Sequence, residues 1–343
     1  MNSFINHIEI KNFKSIRHLE IDGLRKINLF IGKPNVGKSN ILEALSLFTV
    51  PYFNHSNQLT DLIRAENLLE IFHNGNLNEP AFVTLKEDTT YYISSLSYEN
   101  NGINEELKYE NALARGSSKS SLGRISNLNL TFDSKFNWKQ IGSANDLNNR
   151  VKRYIYKKGV NSDTLRTSYL FPPFGTNLLY VLELQKELRE VFASWFKQYG
   201  LRLVLDKASN SLKVMKDNGA DVFIVPYSLI ADTLQRIIFY KTAIVSNKNS
   251  VLIFEEPEAH AYPPYIAEFT QEVINSETNQ FFMATHSPIV VNDFLENAID
   301  DLAIFMVDYK DDQTKVKPLS REEIHDVYKY GVDLFFNNEA YPV

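Results

Sequence analysis

"FIGKPNVGKSNILEAL", residues 30–45, decides how the rest of the chain is read. Two glycines, a lysine and a serine stand between an apolar run and a second apolar run of helical spacing, and Gly32 to Ser39 satisfies G-x-x-x-x-G-K-[ST]. Each constrained position has a physical task. Gly32 and Gly37 free the backbone so that its amides can turn inward on phosphate oxygens, with a helix N-terminus behind them. Lys38 supplies a point charge, and Ser39 supplies a hydroxyl of the kind that Mg2+, a hard oxygen-seeking cation, accepts. Lys33, Pro34, Asn35 and Val36, with Asn40 in the first helical turn, complete the segment expected to wrap a phosphate chain. ATP with Mg2+ is the expected ligand.

Short strands precede this loop. "FINHIEI", "RHLEI" and "KINLFI" lie between residues 4 and 31, the last an apolar run suited to a strand buried on both faces. A helix is expected from Lys38 to about Phe48, with Pro51 ending it. From 51 to about 225 the pattern changes to Asn and Ser clusters, alternating stretches such as "TTYYISSLSYEN", and a polar segment "RGSSKSSLGRISN" that reads as flexible. This region reads as one large α+β insertion. Its single long helical pattern, "TNLLYVLELQKELREVFASWFKQYG", stops at Gly200 and is too short for a coiled-coil arm. "LRLVLD", "SLKVMK" and "DVFIV" then read as strands joined by turns.

From Tyr227 helices and apolar strands alternate: helix "SLIADTLQRIIFYKTAIV", strand "SVLIFEE", a helix after Pro264, and strands "NQFFMATHS" and "LAIFMVD". That order predicts a mixed, mostly parallel sheet with ligands at the strand C-termini. The expected division is therefore 1–50 with 226–343 as an α/β core, and 51–225 as the insertion. No internal repeat is present.

Two later fragments carry chemistry. In "SVLIFEEPEAHAYPP", residues 250–264, four apolar residues deliver Glu255 and Glu256 to the end of a strand. The first acid of such a pair suits a metal, and the second suits the water that attacks a phosphate. Glu255 stands where Asp is commoner, one methylene longer. In "FFMATHSP", residues 281–288, an apolar strand places Thr285, His286 and Ser287 at its end, where an imidazole can reach a γ-phosphate.

Together, "I-x-I-x-N-F-K-S" (8–15), "GKPNVGKSNILEAL", "EEPEAHAYP" and "ATHSP" resemble the ABC-type, AAA-family ATPases of the overcoming-lysogenization-defect (OLD) group, relatives of SMC and RecF heads. The resemblance covers both ends of the chain, about half its length. It implies a P-loop NTPase head that hydrolyses ATP slowly between two copies. Gly32 to Asn40 would bind nucleotide, and Ser39 and Glu255 the metal. Lys38, Glu256 and His286 would be catalytic, and Glu258 to His260 would lie in the loop that crosses the dimer interface. It also implies bacterial anti-phage defence beside a nuclease or toxin partner. One departure stands out: "PYSLIADTLQRIIFYK", where such ATPases open a signature helix with Ser and Gly, has Ser228 and no glycine. Ser228 can reach a partner's phosphate or simply cap the helix. No Q-loop glutamine can be placed.

Composition narrows the alternatives. The chain has 343 residues, 44% of them hydrophobic and 13% aromatic, enough for one elaborated domain or two compact ones. No apolar run approaches the ~18–20 residues of a membrane helix, and "MNSFINHIEIKNFK" lacks signal-peptide order, so a cytoplasmic protein without a membrane partner is expected. With no cysteine, disulfides, thiolate zinc sites and a Cys nucleophile are excluded. "NKNS" at 247–250 only half matches a guanine reader, and fewer than sixty residues follow His286, too few for the TOPRIM nuclease domain of OLD enzymes. A net charge of −6 argues against a chain that coats nucleic acid. DNA remains a candidate partner through "NNRVKRYIYKKGVN", residues 148–161, where basic residues interleave with Tyr154 and Tyr156, although such a run is more often the solvated face of an edge strand that lysines protect from pairing. A DNA-repair ATPase and a non-hydrolysing ATP-dependent scaffold are the alternative functions.

Overall fold

A computed structural model describes residues 3–53, 57–111, 126–141, 149–160, 163–219 and 221–343. Two compact units share the chain: residues 1–153, 249–256 and 280–343 form the first, and 154–248 with 257–279 the second.

The loop at 32–37 belongs to the first unit. Strands β1 (His7–Phe13) and β2 (Ile16–Asp22) form a hairpin, and β3 (Ile27–Ile31) leads into the loop. All five residues of β3 are buried, including Asn28, whose amide donates to the carbonyls of Arg25 and Phe281. Helix α1 (Lys38–Ser46) follows, and residues 47–52 continue it as a tighter 3-10 turn containing Pro51. Every residue from Ile41 to Ser46 is buried, so α1 is a core helix.

β4 (Ala81–Glu87), β5 (Thr90–Glu99), β6 (Gly102–Asn111), β7 (Ser126–Phe132) and β8 (Trp138–Ile141) extend the first hairpin into an antiparallel sheet of order β2-β1-β4-β5-β6-β7-β8. The register His7↔Lys86 to Lys11↔Phe82 ties β4 to β1. Strands β4 to β8 therefore build directly on the N-terminal hairpin, within the first unit. The polar stretch expected to be flexible falls, from 115 to 125, outside the described residues.

The second sheet carries the order β16-β15-β3-β14-β13-β9, with β9 (Val151–Tyr154), β13 (Val251–Glu255), β14 (Gln280–Ala284), β15 (Leu302–Lys310) and β16 (Gln313–Pro318). β3, β13, β14 and β15 are parallel, and β16 returns antiparallel to β15, giving the mixed sheet expected. The C-terminal ends of β3, β13 and β14 therefore lie side by side, where open α/β sheets bind ligands. α1 packs on β13 and β14.

In the second unit, β10 (Arg202–Asp206), β11 (Ser211–Asp217) and β12 (Val222–Pro226) form an antiparallel sheet. The single helix expected over 176–200 is two: α2 (Leu178–Leu184) and α3 (Lys186–Lys197), broken at Gln185 with φ −94° and ψ 79°. The apolar pattern explains the break. Leu188, Phe192 and Phe196 share one stripe, but Leu179 precedes Leu188 by nine positions, about 140° from the centre of that stripe on a straight helix. Bending at Gln185 lets both faces enter one core with Leu179, Leu212 and Ile238. α4 (Asp232–Ser246) and α5 (Pro263–Asn275) also belong to this unit. In the first unit, α6 (Pro288–Asn297) and α7 (Arg321–Tyr330) complete the helices.

Candidate functional site

The loop between β3 and α1 is shaped by contacts that tolerate no side chain. A Cβ on Gly32 would stand 2.2 Å from the Val307 carbonyl oxygen, and one on Gly37 would stand 1.9 Å from Thr314 Oγ1. Gly37 also has φ +102° and serves as the helix N-cap without a side-chain bond. Asn35 takes φ +62°, a left-handed turn that Asn tolerates better than most residues. The first-turn amides of α1 are left to face a ligand, and an anion is the natural one.

Lys38 is buried, and its ammonium donates to the carbonyls of Gly32 and Lys33, both at 2.7 Å. Burial pulls its pKa down to about 8, against the opposing pull of Glu256 and Glu255. Behind the loop lies a support absent from the sequence reading. Thr314 on β16, fully buried, donates through its amide to the Ser15 carbonyl and through its hydroxyl to the Val36 carbonyl at 3.0 Å. Its hydroxyl also meets Ser15 Oγ at 2.6 Å, and Asn40 Nδ2 donates to that same Ser15 oxygen. The loop is thus pinned by a residue nearly 280 positions away.

Glu255 ends β13, and Glu256 follows it with φ +43°, a left-handed backbone that a glutamate rarely adopts. The Glu256 amide donates to the Ala284 carbonyl at 2.9 Å, which holds this turn against the end of β14. His286 Nε2 then lies 3.7 Å from Glu256 Oε1, with both side chains partly exposed. Burial lowers the His286 pKa, Lys38 lowers it further and Glu256 opposes both, so the imidazole is neutral at pH 7. The structure brings Lys38, Ser39, Glu255, Glu256 and His286 together around the loop.

Glu255 is not free. Arg153 donates to it at 2.5 Å and Arg64 at 3.0 Å. Burial pushes its carboxyl pKa up, but Arg153, a hydrogen bond from Ser39 and Arg64 together hold it below the ordinary value. Arg64 also donates to Glu43, a wholly buried acid on α1 that pairs on its other side with Lys14. A chain of charges, Lys14, Glu43, Arg64, Glu255 and Arg153, therefore lines one flank of the site. Glu43 was detectable in the sequence as a charge inside the apolar run of α1; Arg64 and Thr314 carried no local signal.

Two sequence expectations need correction. The basic run at 148–161 is not an open nucleic-acid face. Lys152, Arg153 and Tyr154 are buried in β9, and Arg150 pairs with Glu87 at 2.9 Å. Burial alone lowers the Lys152 pKa to about 8. Only Lys157 and Lys158 in the run are exposed cations, and Asn148 and Asn161 lie outside the described residues. Nor does Ser228 cap a helix: α4 starts at Asp232 with Ala231 as N-cap, and Gln235 Nε2 reaches back to the carbonyls of Ser228 and Ile230. Ser228 and the expected interface residues Glu258 to His260 belong to the second unit.

The donor set fits the ligands it implies. Ser39 and Glu255 present oxygen atoms in contact, as Mg2+ prefers, and the loop offers amides and one ammonium to a phosphate chain. Among the described residues no helix is long and apolar enough to cross a membrane.

Known proteins bear on this geometry. The Septu protein PtuA of Bacillus mycoides is 22% identical over 317 residues, covering 86% of this chain and 40% of PtuA. An ATP/GTP phosphatase of Helicobacter pylori is 51% identical over 41 residues, 12% of this chain and 11% of that one. The DNA replication and repair protein RecF of Lactobacillus acidophilus is 32% identical over 60 residues, 18% of this chain and 16% of RecF. The chain thus matches a fifth or less of the last two relatives and two fifths of PtuA. In fold it is similar to the Smc head domain from Pyrococcus furiosus with an extended coiled coil, bound to the C-terminal domain of ScpA. The TM-score is 0.51 at 14% identity, covering 96% of this chain and 99% of that one. A second SmcHead, bound to the C-winged helix domain of ScpA, gives 0.50 at 14% identity over 94% and 99%. A family model described as AAA ATPase domain matches residues 4–213. A match over more than half its length makes this chain a member of the AAA ATPase domain family.

Proposed function

We propose that this chain binds Mg·ATP on residues 32–40 and hydrolyses it slowly, and that paired heads use nucleotide occupancy to switch a partner. The observation that carries this reading is the bond from the Glu256 amide to the Ala284 carbonyl, which brings Glu256 and His286 to the loop that holds Lys38. In this scheme Lys38 leaves the carbonyls of Gly32 and Lys33 for the β- and γ-phosphates, to which the loop amides also donate. Ser39 and Glu255 offer oxygen ligands to Mg2+, which when bound neutralises charge on the phosphate oxygens. Glu256 accepts the proton of the attacking water, and the neutral His286 orients that water or donates to the γ-phosphate. Release of the γ-phosphate then removes the contacts that bridge two heads.

Anti-phage defence beside a nuclease or toxin partner, as in OLD-like proteins, is the service proposed; similarity to PtuA over most of this chain supports that direction. A second reading, ATP occupancy without turnover, is favoured by the two arginines on Glu255 and by the lack of glycine before α4. Phosphate release separates the two. Under the first reading wild-type protein releases phosphate, while Glu256→Gln binds ATP, releases none and accumulates as a dimer by light scattering. Equal turnover in Glu256→Gln removes that residue from its role, and tight ATP binding without any wild-type turnover selects the scaffold.

A further inference from the structure

The second unit contains a cavity of about 400 Å³, lined among the described residues by that unit alone, between the segments at 156–160 and 174–179, the β10–β11 turn and the start of α4. Its volume falls within the roughly 300–1,000 Å³ typical of sites for small organic ligands. Leu179 and Leu212, both buried, give it an apolar wall. Lys157 is the sole charged residue among the described residues that line it, and its ammonium stands 5.0 Å from the ring centroid of Phe174, another lining residue. No ion pair holds Lys157 among the described residues. Thr176, also in the lining, has a buried hydroxyl oxygen without a hydrogen-bond partner. An unmade bond of that kind is costly, and an occupant able to reach the hydroxyl would relieve that cost.

From these features we infer that the cavity is a binding site for a small organic anion carrying a planar ring, of nucleoside monophosphate size. The lone cation selects negative charge, the Phe174 face selects a flat ring, and Thr176 offers a hydrogen bond to a polar edge. Ser228 and Gln235 also line the cavity, so an occupant bears directly on the turn into α4 that Gln235 holds. This site is distinct from residues 32–40 and stands independently of the ATPase reading.

Calorimetry on the full chain tests it, with UMP and AMP as probes and uridine and inorganic phosphate as partial ones. At least one monophosphate is expected to bind one to one, and equally well to Lys38→Ala, whose loop lacks its phosphate-binding ammonium. Lys157→Glu is expected to weaken it at least about tenfold, and Thr176→Val by about three- to tenfold, with ATP binding unchanged in both. Uridine or phosphate alone should bind about tenfold or more weakly, since each uses half of the site. Failure of both monophosphates to bind, equal binding of phosphate alone, or indifference to Lys157→Glu overturns the proposal. Failure of ATP to bind wild-type protein would instead overturn the loop's assignment and leave this one standing.

Discussion

Arg153 and Glu255 meet at 2.5 Å, a buried guanidinium from β9 closing on the carboxylate that ends β13. Arg153 also donates to the Leu62 carbonyl at 2.9 Å and to Ser46 Oγ, so it knits β9, α1 and the segment after it to the metal-side acid. Removing one partner leaves a largely desolvated charge. Arg153→Met should therefore destabilise the fold by about 2–4 kcal/mol, the lower end reflecting the partial exposure of Glu255. Arg153→Met with Glu255→Gln should recover part of the loss. Denaturant unfolding of wild type, Arg153→Met, Glu255→Gln and the double variant measures it, and additive losses would show that the pair is not coupled.

Gly37 and Thr314 provide a second test. Gly37→Ala places a methyl group into the Thr314 hydroxyl at a backbone angle that disfavours any side chain. The expected cost is at least about 2 kcal/mol with loss of ATP binding. Thr314→Val keeps the shape and removes two hydrogen bonds; about 1–2 kcal/mol and a several-fold weaker ATP affinity are expected. Gly37→Ala with Thr314→Ala removes the worst contact but leaves Ser15 Oγ and the Cβ at 314 each 2.9 Å from the added methyl group, along with the backbone strain, so it should regain only part of the stability. Full recovery in thermal melts would mean that the left-handed backbone matters little here.

The lowered pKa of Lys38 sets a pH dependence for the proposed nucleotide binding. The ammonium is the form that attracts phosphate, and in the free protein it begins to lose its proton as pH rises through about 8. ATP affinity should be flat below pH 7 and fall progressively above about 8, with proton uptake on binding in that range. Calorimetry in buffers of different ionisation enthalpy reads the uptake directly. An affinity constant from pH 6 to pH 9.5 would contradict it.

Glu105 gives an independent pH test within the antiparallel sheet. Its side chain is fully buried on β6, one oxygen bonded by Ser94 at 3.0 Å and the other unpartnered, and burial raises its pKa from 4.5 to about 8. Between those values the folded chain keeps a proton that the unfolded chain has lost, so folding stability falls as pH rises from about 4.5 to about 8 and then levels off. Glu105→Gln retains the neutral shape and the Ser94 bond. Relative to wild type it should gain stability steadily across that window, as read from urea midpoints at pH 5, 6.5 and 8. A difference that does not vary with pH would show that Glu105 is ionised in the folded state.

How much of this was legible in the sequence depends on the range of the physics involved. β3, β13 and β14 could be read because strands buried on both faces are predominantly apolar, and the groups at their ends follow in sequence. The same locality made the loop at 32–40 and the Glu255–Glu256 pair visible. Arg64 and Arg153 escaped because they act on Glu255 from 191 and 102 positions away. Arg153 was even misread, since a basic run next to tyrosines looks the same whether its strand is exposed or buried. The break at Gln185 was missed because local spacing favours helix on both sides, and only the shared core demands two directions.

The account rests on ATP occupying the loop before α1, and calorimetric titration of ATP with Mg2+ into wild-type and Lys38→Ala protein tests it most directly. Saturable one-site binding to the wild type, abolished in a Lys38→Ala protein that melts normally, is the predicted result. Heats indistinguishable from dilution in the wild type, or equal affinity in the two proteins, would contradict it.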